Sequence, residues 1–176
     1  MSKSTLKKHL QTLNKDQIIE VVLEIYSNMK PVRGYFDYYL SPNEKEMLEK
    51  FRQIITKEFS TEWEHSEPKL RFSVAKKAIS DFRILKPSPE LLADLLLTLA
   101  EQSCKITYQF GDMTEQYYNS AATNFEIALT FIESNGLLEN FKPRCLDCVK
   151  WASNSGYGFA DEIYDLYYSF YEDIPE

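Results

Sequence analysis

The sequence has few glycines and no run of alternating apolar and polar β-branched residues. Only 5 of its 176 residues are glycine, too few for the many tight turns of an all-β domain. Apolar residues instead recur every three to four positions along nearly the whole chain, as on one face of a helix. The sequence therefore predicts an all-α fold, either a multi-helix bundle or stacked helical hairpins, with about eight to nine helices.

Cysteine is also scarce, and long apolar runs are missing. The three cysteines are an odd number, which argues against a disulfide framework and for a reducing compartment. The most apolar segment, residues 91–100, is about half as long as a membrane span and contains Asp94. Residues 1–13 carry lysines but no apolar stretch of signal-peptide length. We expect a cytoplasmic protein without membrane contact.

Positive charge is in deficit. The chain has 20 Lys and Arg against 27 Asp and Glu, a net charge of -7, so non-specific binding to nucleic acid or anionic membranes is a poor expectation. Its hydrophobic share of 44% and charged share of 27% exclude a wholly disordered chain. We predict a single helical domain over residues 1–176, with a possible subdomain joint in the aperiodic segment 60–68.

Capping signals predict where several helices begin. Asn14 and Gln17 have the spacing of a reciprocal capping pair at the start of a second helix. Residues 86–90 combine two prolines with a serine and are typical of a helix end followed by a new start. Asp112 is predicted to cap a seventh helix, with Glu115 at its third position.

The sixth predicted helix, about residues 89–109, is apolar over most of its circumference. Its polar side chains form one narrow stripe at spacings of four, three and four: Asp94, Thr98, Glu101 and Lys105. A helix that presents so thin a polar line is expected at the centre of the core.

No complete catalytic or metal-binding set is present, so we predict no catalytic residue, no metal and no cofactor. Cys145 and Cys148 have a zinc-like spacing, but a structural zinc site needs four ligands in paired spacing. Both lie on the apolar line of the eighth helix, which favours buried structural thiols. Glu62 and His65 have the spacing of two metal ligands on a helix, yet the second such motif of a diiron bundle is missing. A solvated acidic loop is the better interpretation.

Residues 69–86 contain six basic residues and one acid. Basic and hydroxyl side chains alternate along one face of this helix and are candidates for anion binding: Lys69, Ser73, Lys76, Ser80 and Arg83. The alternatives are a solvated face or a counter-surface for another helix. Lys77 and Asp81, four residues apart, are predicted to form a local ion pair.

The last 20 residues contain six acids, no Lys or Arg, and more aromatic side chains than one inner face can hold. A second aromatic group lies near residue 35. The tyrosines of both groups are interface candidates, with core packing as the alternative: Tyr35, Tyr38, Tyr39, Tyr157, Tyr164, Tyr168 and Tyr171. Opposite charge predicts that Asp161, Glu162 or Asp165 contacts Lys69, Lys76, Lys77 or Arg83.

Several stretches carry a resemblance. They are Lys69-Leu-Arg-Phe-Ser-Val-Ala-Lys-Lys-Ala-Ile-Ser-Asp-Phe82 and the shorter segments 4–10, 30–32, 87–91 and 156–159. The chain resembles a family of small all-helical bacterial proteins, notably of Bacteroidota, with no assigned activity. The resemblance implies a single-domain cytoplasmic helical fold and assigns no functional residue.

These observations favour a non-enzymatic module for protein–protein interaction or self-association. The first alternative is binding of phosphate or nucleic acid through helix 69–83, for which nucleic acid remains the less favoured ligand. The second alternative is an enzyme with a pocket that the sequence does not display.

Overall fold

The computed structural model describes residues 2–41, 43–60 and 67–171. All regular elements within these ranges are helices, which confirms the all-α prediction. The helices are α1 (Lys3–Leu10), α2 (Lys15–Asn28), α3 (Lys30–Leu40), α4 (Glu44–Phe59), α5 (Phe72–Ile84), α6 (Pro89–Phe110), α7 (Glu115–Ser134), α8 (Leu138–Ala152) and α9 (Phe159–Tyr171). Within the described ranges, no helix combines the length and the apolar character that crossing a bilayer requires.

The chain divides into two compact units. Residues 1–43 contain α1–α3, and residues 44–176 contain α4–α9; we call them the N-terminal unit and the C-terminal unit. The division comes earlier in the chain than the joint predicted at 60–68, of which residues 61–66 lie outside the described residues. The single domain stays a prediction.

The helix α6 is the centre of the C-terminal unit, as its near-continuous apolar circumference predicts. It packs against α4, α5, α7 and α8, while α9 packs against α7 and α8. Twelve of its 22 residues are buried, so burial on all sides, rather than one stripe, holds it in place.

The predicted capping pair at α2 is confirmed. The backbone N–H of Gln17 donates to Asn14 Oδ1 at 2.9 Å, and the N–H of Asn14 donates to Gln17 Oε1 at 3.0 Å. Two of the free N–H groups at the start of a helix are thereby satisfied. The segment 86–90 also behaves as predicted, because Ser88 is the N-cap of α6 and Pro89 its first residue.

The predicted cap of α7 is wrong. Thr114, rather than Asp112, is the N-cap and accepts a hydrogen bond from the backbone N–H of Tyr117 at 3.3 Å. Asp112 Oδ1 accepts bonds from the N–H of Gly156 at 3.0 Å and from the Tyr118 hydroxyl at 3.2 Å. Asp112 therefore ties the connection between α8 and α9 to the start of α7.

A buried carboxylate closes the connection between α4 and α5. Glu58 is 6% exposed and accepts two hydrogen bonds from the Arg71 guanidinium, at 2.7 and 2.8 Å. The backbone N–H of Leu70 donates to the Glu58 carbonyl at 2.8 Å. The hydrogen bonds and charge of Arg71 outweigh burial and lower the pKa of Glu58. Glu58, near the end of α4, thus binds both Leu70 and Arg71, which lie just before α5.

Polar and aromatic contacts join α2 to α3 in the N-terminal unit, where the centres of the Tyr26 and Phe36 rings lie 6.3 Å apart. The Tyr26 hydroxyl donates to Asp37 Oδ1 at 2.8 Å, and the Arg33 guanidinium lies 5.6 Å from the centre of the Tyr26 ring. Among the described residues of this unit, only Tyr38 is buried.

Candidate interaction surfaces

The three cysteines are buried structural thiols, as predicted for Cys145 and Cys148. Each of the three is fully buried and free. Burial raises the pKa of Cys145 to about 11 and also raises that of Cys148, so both remain protonated and weakly nucleophilic at neutral pH. The described ranges contain no cluster of three or more His, Cys, Asp or Glu side chains that could bind a metal. Glu62 and His65 lie outside the described residues.

The polar stripe of α6 forms an internal ion network. Asp94 accepts hydrogen bonds from Arg52 of α4 and Arg144 of α8, both at 2.6 Å. The Arg144 guanidinium also donates two bonds to Glu101, both at 2.8 Å. Burial alone would lower the pKa of Arg144, but Glu101 and Asp94 raise it overall. The network joins three helices, and its charges are neutralised within the protein.

The other two residues of the stripe also contact the protein itself. The Thr98 hydroxyl donates to the Asp94 carbonyl at 2.8 Å. The Lys105 ammonium lies 4.4 Å from the centre of the Trp151 ring in α8, the arrangement of a cation–π contact. The stripe therefore joins α6 to α4 and α8.

The basic stripe of α5 lies open at the surface. Its five predicted residues are all exposed: Lys69 before the helix, and Ser73, Lys76, Ser80 and Arg83 on it. Lys77 is bound to Asp81 at 2.7 and 2.9 Å, which confirms the predicted local pair. Lys76 and Arg83 form no ion pair with any other described residue.

The predicted contact between α9 and α5 is wrong. The helix α5 packs against α4 and α6, whereas α9 packs against α7 and α8. No ion pair joins Asp161, Glu162 or Asp165 to the basic residues of α5 within the described ranges. Apolar burial, which selects the neighbours of each helix, outweighs the weak attraction between exposed charges.

Two shallow grooves run between α5 and α7. One, of ≈ 400 Å³, lies beside Lys76, and another, of ≈ 310 Å³, lies beside Arg83. The α7 wall contains the carboxylates Glu115 and Glu126. Three hydroxyls of this wall, those of Ser120, Thr123 and Ser134, donate to backbone carbonyls of α7 itself. An anion held by α5 would therefore face two carboxylates, hydroxyls whose protons are already donated, and the side-chain amides of Gln116 and Asn119.

The seven candidate tyrosines differ in their exposure to solvent. Tyr39, Tyr157, Tyr164 and Tyr168 are exposed, by 69%, 79%, 50% and 37%. Tyr38 and Tyr171 are buried instead, and Tyr35 is half-buried. The Tyr171 hydroxyl donates to the Leu138 carbonyl at 3.1 Å, so this ring packs α9 onto α8 and is not a surface contact.

The exposed side of α9 is both aromatic and acidic. The rings of Tyr164 and Tyr168 lie in contact, with their centres 4.4 Å apart. Asp161, Glu162 and Asp165 are exposed on the same helix, and none has an ion-pair partner among the described residues. Exposed aromatic rings are typical of a contact surface, and the unpaired acidic groups favour a partner of opposite charge.

The N-terminal unit leaves eight of its described large apolar side chains exposed, which the sequence did not predict. Its large apolar side chains with the greatest exposure are Leu6, Leu23, Met29, Tyr39 and Leu40, at 50%, 56%, 51%, 69% and 73%. Half-buried Leu10, Leu13 and Ile18 line a groove of ≈ 770 Å³ along α1 and the start of α2. The helical periodicity of α1 and α2 was a signal for an apolar face, but it does not show what covers that face.

The sequence profile described as "Family of unknown function (DUF6155)" matches residues 1–170. The chain belongs to this family. The match covers both units and every described helix except the last residue of α9, so the two units occur together in DUF6155. No curated protein and no solved structure matches the chain.

Proposed function

We propose that this protein is a non-enzymatic interaction module of the cytoplasm that binds a polypeptide through its N-terminal unit. The observation that carries this proposal is the exposure of apolar side chains in that unit. Half of the exposed large apolar side chains of the described residues lie in residues 1–43, about a quarter of the sequence. Concentrated exposed apolar surface is typical of protein interfaces.

The state of the reactive groups agrees with a binding role. The thiols are buried, and the carboxylates of Asp94 and Glu101 in α6 are paired with arginines of α4 and α8. His9, the one histidine among the described residues, lies exposed on α1. Three free cysteines support a reducing compartment such as the cytoplasm.

A capture experiment with three purified, tagged proteins tests the proposal. Leu6→Glu places a charge on the exposed apolar face of α1, and Ile84→Glu is the matched control at a similarly exposed position of α5, 61% against 50%. The native protein and Ile84→Glu should retain the same polypeptide from native lysate, a second copy included, and Leu6→Glu should lose it. Retention of the same set by all three proteins, or of nothing by any, would contradict the proposal.

The second candidate function is binding of phosphate groups by α5. The observation that favours it is that Lys76 and Arg83 are exposed and unpaired within the described ranges. Electrophoretic mobility shifts with a short oligonucleotide should be lost in Lys76→Gln combined with Arg83→Gln. They should persist in Lys77→Gln, because Lys77 is already bound to Asp81. Binding should weaken as salt rises, and the absence of a shift at low salt would exclude this candidate.

A further inference from the structure

Two exposed helical faces, one in each unit, have the same pattern and opposite charge. In α1, Lys3 and Lys7 are four residues apart, and Leu6 and Leu10 follow each of them by three. In α9, Asp161 and Asp165 are four residues apart, and Tyr164 and Tyr168 follow each of them by three. Each pattern covers positions i, i+3, i+4 and i+7 of a helix, one face about 10.5 Å long.

The α1 face borders the groove of ≈ 770 Å³ described above, which Lys3, Leu6, Lys7, Leu10, Leu13 and Ile18 line. The groove is apolar along its length and basic at one end of α1. Residues 2–15 contain four lysines and no acid, and none of these lysines has an ion-pair partner among the described residues. The groove therefore fits a helix that carries apolar rings and negative charge.

The α9 face has these properties. Asp161, Tyr164, Asp165 and Tyr168 are all exposed, whereas the opposite side of α9 is buried through Phe159, Ile163 and Tyr167. The inner side holds the helix on the bundle, so α9 can present its outer side without unfolding. A rigid, preformed helix face loses little conformational entropy on binding.

We propose that the groove along α1 receives the outer face of α9 from a second copy of this chain. This inference rests on the proposed function and names its partner. The equal spacing allows Lys3 and Lys7 to pair with Asp161 and Asp165, while the two tyrosine rings enter the apolar groove. Charge complementarity selects this occupant, since the chain itself carries the acidic counterpart of its basic groove.

Each contact joins the groove of one copy to the α9 of another. Two copies that exchange both contacts reciprocally form a two-fold dimer, whereas copies that use the groove and α9 with different neighbours form open chains or closed rings. A single helix in a groove buries less surface than a standard stable interface, so the association is weak and depends on concentration. Raising the salt from about 0.1 M to about 1 M shortens the screening length from about 10 Å to about 3 Å and should weaken it.

Light scattering and sedimentation of the purified full chain test the proposal, from about 1 μM to about 1 mM protein. The native mass should rise with concentration. A groove variant, Lys3→Glu with Lys7→Glu, and a helix variant, Asp161→Lys with Asp165→Lys, should each associate at least about tenfold more weakly. The matched controls Lys50→Glu and Glu133→Lys, exposed charges elsewhere, should associate as the native chain does.

Mixing the groove variant with the helix variant distinguishes a groove-to-α9 contact from other modes of association. The groove variant retains its α9 and the helix variant retains its groove, so an equal mixture should associate although neither does alone. A chain with all four reversals should associate by itself, because the charges are exchanged and remain complementary. A symmetric groove-to-groove dimer would show no such rescue and would overturn the proposal.

Folding is monitored separately, because Asp161 lies in the first turn of α9, where an acid stabilises a helix. Tyr168→Ser leaves all charges in place and should also weaken association. If the native chain stays monomeric at every concentration while the groove variant and the helix variant both lower the unfolding midpoint, the contact is within one chain and the proposal is wrong. A native chain that stays monomeric yet captures another polypeptide through Leu6 would overturn the proposal and leave the proposed function intact.

Discussion

The two units use similar amphipathic helices in opposite ways. In the C-terminal unit, the apolar residues of α6 are buried against four other helices, and its polar stripe is neutralised by Arg52 and Arg144. In the N-terminal unit, α1 and α2 have no buried residue at all. Helical periodicity therefore produces an apolar face on a helix. The stability that this face contributes depends on whether another element covers it. The bundle buries its apolar faces, whereas the N-terminal unit leaves apolar surface exposed.

Matched leucine truncations in the two units should show the largest difference. Leu97 of α6 is fully buried, whereas Leu23 of α2 is 56% exposed. Leu97→Ala should lower the free energy of unfolding by about 2–5 kcal/mol, because it leaves a cavity. Leu23→Ala should change it by less than about 0.5 kcal/mol. Urea unfolding followed by circular dichroism measures both, and an equal loss in the two variants would show that the α2 face is covered in solution.

Removal of one cation from the ion network should have the next largest effect. Arg144→Met leaves Asp94 and Glu101 without their shared partner inside the bundle and should cost about 3 kcal/mol. Lys77→Met breaks an exposed pair on α5 and should cost less than about 1 kcal/mol. The same urea series compares them, and similar costs would mean that the network is as hydrated as the surface pair.

Two glycine-to-alanine substitutions should change the free energy of unfolding in opposite directions. A Cβ at Gly156 would lie 2.8 Å from Asp112 Oδ1, the atom that accepts the Gly156 N–H. Gly156→Ala should therefore destabilise the C-terminal unit by about 1 kcal/mol through a disturbed hydrogen bond. A Cβ at Gly34 in α3 meets no atom within 4 Å, so Gly34→Ala should stabilise that helix by about 0.5–1 kcal/mol. Thermal unfolding distinguishes the two, and a neutral Gly156→Ala would show that Asp112 moves aside freely.

The smallest expected effect concerns pH and Glu58. Its pKa is held below the usual 4.5 by the Arg71 hydrogen bonds. A carboxylate with a lowered pKa stabilises the fold above its unfolded pKa, and that contribution disappears as the pH falls through its folded pKa. Glu58→Gln should therefore lose less stability than the native chain between neutral pH and acid.

Glu133→Gln is the control for this comparison, because it removes an exposed carboxylate with no partner among the described residues. Its acid profile should match that of the native chain. A Glu58→Gln profile that also matches the native one would show that the pair with Arg71 contributes nothing to acid stability.

Local patterns were sufficient to predict much of the fold. The reciprocal cap of Asn14 and Gln17, the start of α6 at Pro89 and the central position of α6 all depend on residues close in sequence. The burial of Cys145 and Cys148 followed from their place on an apolar line. In each case the physical cause acts within about one or two helical turns.

Contacts distant in sequence could not be predicted in this way. Asp94 pairs with residues 42 and 50 positions away, and no local pattern specifies which arginine approaches it. Arginines on the otherwise apolar faces of α4 and α8 were the one available signal. The prediction from net charge gave a wrong neighbour for α9, because side-chain packing determines which helices are neighbours.

The buried thiols can report when the C-terminal unit opens. All three lie in α6 and α8, and each is sealed from solvent. A thiol reagent can modify them only while the bundle opens, so the rate of modification counts those openings. The reagent does not report on residues 1–43, which contain no cysteine. Thiol modification therefore measures opening of the C-terminal unit separately from motions of the N-terminal unit, and it needs no added label.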